Sequence, residues 1–208
     1  MRWPSTSPNT SLTWPMPRLA PNGPPARRNG IGGGSTETTN CCCPVPGMAP
    51  VTASVIRGFL ADGTAFASGK AAASYVGLNP STWSSGTVSQ PSRAITKEGP
   101  AVLRLAFFQA ANAARRQDPQ LAGFYHQLMT EHGHCHTQAC VAVARKLVER
   151  TWTVLNRGTP YQIRDLDGQP ISRLEAKKMI KQVCTVPDQV RAKARAHSAA
   201  TNRAKLTR

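Results

Sequence analysis

The stretch TQACVAVARKLVERTWTVLNRG, residues 137–158, decides the fold class. Val141, Ala144, Leu147, Val148, Thr151 and Leu155 recur at intervals of three and four, which places them on one side of an α-helix. Gly158 supplies the stop, because glycine accepts the left-handed conformation that ends a helix. The reading extends outward in both directions. In DPQLAGFYHQLMTEHG, residues 118–133, Asp118 is placed to cap a helix, Pro119 takes its first position and Gly133 lies past its end. After Gly99, Pro100 opens a further helical pattern, with Leu103, Phe107, Ala110, Ala111 and Ala114 on one face as far as Arg116.

Upstream, SGKAAASYVG fits a short helix ended by Gly77. PVPGMAPVTASVIRGFLADG offers a proline at a helix start, then Val51, Val55, Ile56 and Phe59 at helical spacing, with Gly63 as a stop. No stretch alternates convincingly as a strand. The expectation is a mainly α domain over residues 44–165. Before it lies a Pro/Gly-rich segment, 1–43, within the first fifty residues that hold ten of the seventeen prolines; it cannot bury enough apolar surface to order itself. After it comes a basic tail, 166–208, with short helices and a flexible end.

Charge narrows the function. The chain has 208 residues and a net charge of +16, which points to a polyanion. The longest apolar run, AVLRLAFFQAANAA, is interrupted by Arg104 and too short to span a bilayer. No secretory leader is recognisable, and the cysteines, three of them consecutive at 41–43, do not form a spaced disulfide framework. The expectation is a cytoplasmic protein that uses no membrane.

Between Gly77 and Arg104 runs GLNPSTWSSGTVSQPSRAITKEGPAVLR. Ser84 and Ser85 are candidate nucleophiles, Gly86 would allow a phosphate close to the backbone, and Arg93, Lys97 and Arg104 could offset transition-state charge. On pattern alone a polar loop is the favoured explanation. PGMAPVTA, with Gly47, is similar to a phosphate-binding turn at a helix start, although Ala49 stands where such turns carry a second glycine. HGHCHTQAC raises a zinc reading. Its ligands crowd together without a second pair at finger-like spacing, which favours a polar turn between helices. Only Glu37 and Asp62 precede Lys97 among the acids, and Asp165 and Asp167 read as part of a turn. No carboxylate cluster for a metal-dependent nuclease is present.

Four segments then occur in one order over residues 44–162: VPGMAPVTASVI, AAASYVGLNPSTWSSG, ITKEGPAVLRLAFFQAA and ACVAVARKLVERTWTVLNRGTPY. With the gapped signature Gly-Leu-x-Pro, Ser-Gly, Lys-x-Gly, Leu-Arg they resemble the C-terminal, serine recombinase-like domain of the bacterial DEDD insertion-sequence transposases, the IS116/IS110/IS902 family. Those enzymes recombine DNA under the direction of a bridge RNA. The resemblance implies that Ser85 attacks a phosphodiester and holds the cut end as a phosphoserine. It also implies DNA contacts at Gly47, Gly86, Arg93, Lys97, Gly99 and Arg104, with DNA, a structured guide RNA and further copies of the chain as partners. Pro100 replaces an asparagine of the family turn. The family's Mg²⁺ is held by four acids of an N-terminal RNase H-like domain, and residues 1–43 offer no such tetrad, so no cofactor is expected on this chain itself. The alternative is a noncatalytic nucleic-acid-binding remnant; a zinc-stabilised interaction module is a third reading.

Overall fold

The computed structural model describes residues 45–81, 84–85, 88–89 and 94–206. Its longest helix is the one that the opening stretch predicts: α5, His136–Arg157, ended by Gly158 at φ 63°. Ala139, Cys140, Val143, Ala144, Leu147, Val148, Thr151, Val154 and Leu155 are buried along it, and Val141 is half-buried against the core. Three helices pack on α5: α2 (Gly69–Val76), α3 (Ala101–Ala114) and α4 (Pro119–Thr130). α3 buries the predicted stripe Leu103, Phe107, Ala110, Ala111 and Ala114, and ends at Ala114 with Arg115 as its cap. α2 is capped by Ser68, whose side chain accepts from the Ala71 N–H, and Gly77 closes it at φ 75°. Gly69 lies so close to α5 that a Cβ there would stand 3.0 Å from the Glu149 Cα.

α1 (Pro50–Leu60) packs on α3 with a buried face that differs from the expected one. Ala53, Ile56 and Leu60 are inside, whereas Val51 is 76% and Phe59 40% exposed. The reason lies just upstream. Gly47, at φ 81°, sits where a Cβ would overlap the Ala110 carbonyl oxygen and stand 2.5 Å from the Ala114 nitrogen. That close approach fixes the entry to α1 against α3, with Ala53 buried and Val51 exposed on the helix that follows.

The C-terminal region is more ordered than a flexible basic end. α6 (Arg173–Val183) and α7 (Asp188–Leu206) both pack on α4, burying Ala176, Cys184 and Val186. A Ser172–Glu175 capping box starts α6. Between α5 and α6, Leu166 reaches Gly123 of α4, and Asp165 accepts the Gln169 N–H at 2.7 Å, which makes IRDLDGQP the turn that it resembles.

A buried ionic group joins these layers. Asp118 is fully buried; its Oδ1 accepts from the Gln120 and Leu121 N–H groups at the start of α4, and its Oδ2 accepts from Arg150 at 2.9 Å and from the Tyr161 hydroxyl. Arg150 also donates to Gln120 Oε1 at 2.9 Å. Burial pushes the Tyr161 hydroxyl well above its ordinary range. Among the described residues no helix is long and apolar enough to cross a membrane.

Candidate functional site: a clamped stem carrying Ser85

Residues 77–81 and 94–99 form an antiparallel stem between α2 and α3. The Lys97 N–H donates to the Gly77 carbonyl at 3.2 Å, the Thr96 N–H to that of Asn79 at 3.0 Å, and the Ser81 N–H and hydroxyl to that of Ala94 at 3.0 and 2.8 Å. Pro80 and Ile95 form a bridge at the same level. Further out, β1 (Ser84–Ser85) pairs with β2 (Val88–Ser89), Ser84 opposite Ser89 and Ser85 opposite Val88. Ser85 is therefore carried on a two-stranded arm, not in an irregular loop. Gly86 and Arg93 lie outside the described residues.

The root of the arm is held by glycines and by Arg104. Gly77 and Gly99 bring the two strands of the root together. A Cβ on Gly77 would stand 2.8 Å from the Glu98 nitrogen, and one on Gly99 would overlap the Tyr75 carbonyl oxygen and stand 2.9 Å from the Tyr75 and Val76 carbonyl carbons. Arg104, in the first turn of α3, reaches back across this root. Its Nη1 donates to the carbonyl of Val76 at 3.4 Å and to that of Gly99. One guanidinium nitrogen thus ties the end of α2, the returning strand and α3 together.

Lys97 is exposed and adopts φ 59°, a left-handed conformation that a lysine rarely takes. Its neighbour Glu98 is exposed too and, with Ser74, Tyr75, Gly99 and Pro100, lines a shallow groove of about 520 Å³ at the root. Two oxygens there lack partners: Asn79 Oδ1 and Thr96 Oγ1 are buried without a hydrogen bond, on residues already joined through their main chains. Unmet buried polar groups of this kind cost about 1–3 kcal/mol each and gather at functional sites. Sequence reading missed this pair, because neither residue is unusual in a loop and nothing local says that they face one another.

Gly47 stands apart from the stem, against the far half of α3. The helix start beside it has no side-chain cap: Ala49 is the N-cap, Pro50 follows, and both are exposed. α3 likewise begins without a side-chain cap, at Pro100. Uncapped first turns leave N–H groups free to meet an anion.

HGHCHTQAC is a turn running into α5, and no group of three or more His, Cys, Asp or Glu residues is placed to hold a metal among the described residues. His136 Nδ1 lies 2.8 Å from the Tyr125 hydroxyl, and Cys140 lies beneath that ring. Burial, then Arg115, Arg116 and Arg191, hold the His136 pKa below its ordinary value. Cys135, Cys140 and Cys184 are free thiols. Four of the acids among the described residues have partners: Asp118 meets Arg150, Glu149 meets Arg145 and Lys146, Glu175 meets Ser172, and Asp62 meets Thr64.

A family model described as Transposase IS116/IS110/IS902 family matches residues 41–126, from the α1 entry through the stem to α4. The "Insertion element IS110 uncharacterized 43.6 kDa protein" of Streptomyces coelicolor is 35% identical over 120 residues, 58% of this chain and 29% of that protein. The "Transposase for insertion sequence element IS1328" of Yersinia enterocolitica is 31% identical over 129 residues, 60% of this chain and 38% of that protein. The chain thus spans about a third of the length of these curated relatives. Over the helices that grip the arm, it is similar to insertion-sequence transposases.

Proposed function

We propose that the described helices form a DNA-binding transposase domain for DNA transposition, with Ser85 as the nucleophile. The observation that supports this reading is the stem: main-chain bonds between residues 77–81 and 94–97, together with Arg104, hold both ends of the segment that carries Ser85. A serine that attacks a phosphodiester must reach a substrate from outside the protein, and a paired β1–β2 segment beyond the hydrogen-bonded stem suits that approach. Lys97, exposed at the root, is suited to a phosphate contact. Arg104 positions the root through Nη1 and brings a fixed positive charge to it. The uncapped starts of α1 and α3 add N–H groups of the kind that phosphates accept. Gly99 serves the root by close packing against Tyr75 and Val76, and Gly47 serves the separate start of α1 by close packing against α3.

The attack would convert the Ser85 hydroxyl and a phosphodiester into a phosphoserine–DNA ester plus a free strand-end hydroxyl. That hydroxyl, or another, would later displace the serine and restore the bond count without ATP. In this proposal, as the family resemblance implies, Mg²⁺ is held by carboxylates of another domain or subunit. A structured guide RNA and homo-oligomerisation belong to the same proposal.

The test supplies that missing half. The chain is incubated with Mg²⁺, element RNA, a duplex carrying an insertion-sequence end, and a full-length relative whose own serine is replaced by alanine. The expected result is a covalent protein–DNA adduct on a denaturing gel, absent with Ser85→Ala. DNA retention with no adduct from either form would refute the nucleophile and leave a noncatalytic nucleic-acid-binding domain.

A further inference from the structure

α6 presents its cations on one side. At 100° per residue, Arg173, Lys177, Lys181 and Lys178 fall within an arc of about 140°, and all four are exposed. Leu174, 73% exposed, lies inside the same arc. The opposite side holds buried Ala176 and half-buried Met179 and Ile180, and α6 packs on α4. None of the four cations makes an ion pair among the described residues, whereas Arg145 and Lys146 share Glu149 and Arg191 meets Asp188. Glu175 is the only acid on α6. It sits at the margin of the arc, and its Oε2 accepts from the Ser172 N–H and hydroxyl at 3.0 and 2.8 Å, which also keeps its pKa low. The helix thus keeps its charge uncompensated on its outer face and nowhere else.

Three polyanions could meet such a face. A membrane surface would need the apolar side of the helix free to enter the headgroups, and here that side is turned to the protein. Double-stranded RNA has a major groove too deep and narrow for a helix. The major groove of duplex DNA, about 12 Å wide, admits one. Within the arc, Arg173 and Lys178 stand at the two edges, able to reach the phosphate strands on either side. Lys177, Lys181 and Leu174 lie between them. We propose that α6 is a duplex-DNA docking helix, separate from the Ser85 arm and anchored by Arg173, Lys177, Lys178 and Lys181. The inference rests on the reading of this chain as DNA-binding, but not on the chemistry of Ser85.

The test measures binding of the full chain to a 25-base-pair DNA duplex by fluorescence anisotropy, from about 50 to 200 mM salt. Each phosphate contact contributes about −0.9 to the slope of log K against log salt. Replacing Arg173, Lys177, Lys178 and Lys181 together by Gln should flatten that slope by about 3 to 4. Over this fourfold range of salt, the parent chain would then lose on the order of 100-fold more affinity than the variant. A control with the same charge change, Gln at Arg116, Lys146, Arg157 and Lys193, should flatten it by less than about 1, with circular dichroism showing both variants folded. Equal flattening in the two variants, or none in the α6 variant, overturns the docking helix. So does an RNA duplex of the same sequence bound as tightly as the DNA and equally weakened in the α6 variant. A parent chain that binds no duplex at any salt overturns it as well, and in that case the DNA-binding reading fails with it.

Discussion

Gly58 and Gly99 offer the same substitution with opposite outcomes. Gly58 is exposed in the interior of α1, and a Cβ there meets nothing within 4 Å. Gly58→Ala should therefore stabilise by about 0.5–1 kcal/mol, because alanine loses less backbone freedom on folding. Gly99→Ala would place its methyl on the Tyr75 carbonyl oxygen and 2.9 Å from two carbonyl carbons. All the obstructing atoms are main chain, so no rotamer change relieves the clash. The returning strand must move away from α2, which strains the Lys97–Gly77 hydrogen bond and the hold of Arg104 on Val76 and Gly99. Overpacking costs about 1–3 kcal/mol, and a weakened charge-assisted hydrogen bond adds to it. The net loss should be about 3 kcal/mol, a fall in Tm of roughly 6–12 °C for a unit of this size. Calorimetry measures the first effect. Hydrogen exchange at the Thr96 and Lys97 amides measures the second, and should accelerate in Gly99→Ala but not in Gly58→Ala. A Gly99→Ala protein with a parental Tm and unchanged exchange would show that the root is not the tight joint described.

Asp118→Ala removes a helix cap worth about 1 kcal/mol and strands Arg150; with 27% of the Arg150 side chain still exposed, the total loss should be about 3 kcal/mol by urea titration, and less for Asp118→Asn. Lys97→Gly should relieve left-handed strain and raise stability by about 1 kcal/mol, while the slope of log K against log salt for DNA flattens by about 0.9; a slope that stays put would remove Lys97 from the phosphate surface. His136 is held below its ordinary pKa by burial and by Arg115, Arg116 and Arg191, so the folded state resists its protonation. Stability should be fully present above about pH 6.5 and fall as pH drops through the lowered value. Comparing urea midpoints at pH 7.5 and 5, the parent should lose more than His136→Gln, and an equal loss would refute the assignment.

Helix positions were legible wherever the signal is local. The Asp118–Pro119 start, the stripe of α3 and the glycine stops at 77 and 158 all follow from residues within one or two turns. The buried face of α1 was not, because Gly47 and α3 select it from outside the helix. α7 has few apolar residues, and Val190 and Ala194 find their place only against the core. The Asp118–Arg150–Tyr161 group joins residues 32 and 43 positions apart, a distance at which no spacing rule operates. Ser85 was chosen over Ser84 by resemblance alone; the pairing of β1 with β2 adds the arm but does not distinguish the two.

The root described here also acts as a fulcrum. Ser85 follows Pro80 by five residues, so the chain can carry it at most about 17 Å beyond the bridge. A rotation of about 10° about the Pro80–Ile95 bridge would then sweep Ser85 through at most about 3 Å, three times the misplacement that can cost an enzyme 100-fold in rate. Tyr75 and Val76, whose main chains pack against Gly99, accordingly help to set where Ser85 lies. Mutations that change the chemistry can be sought there, a lever's length from the reacting atom.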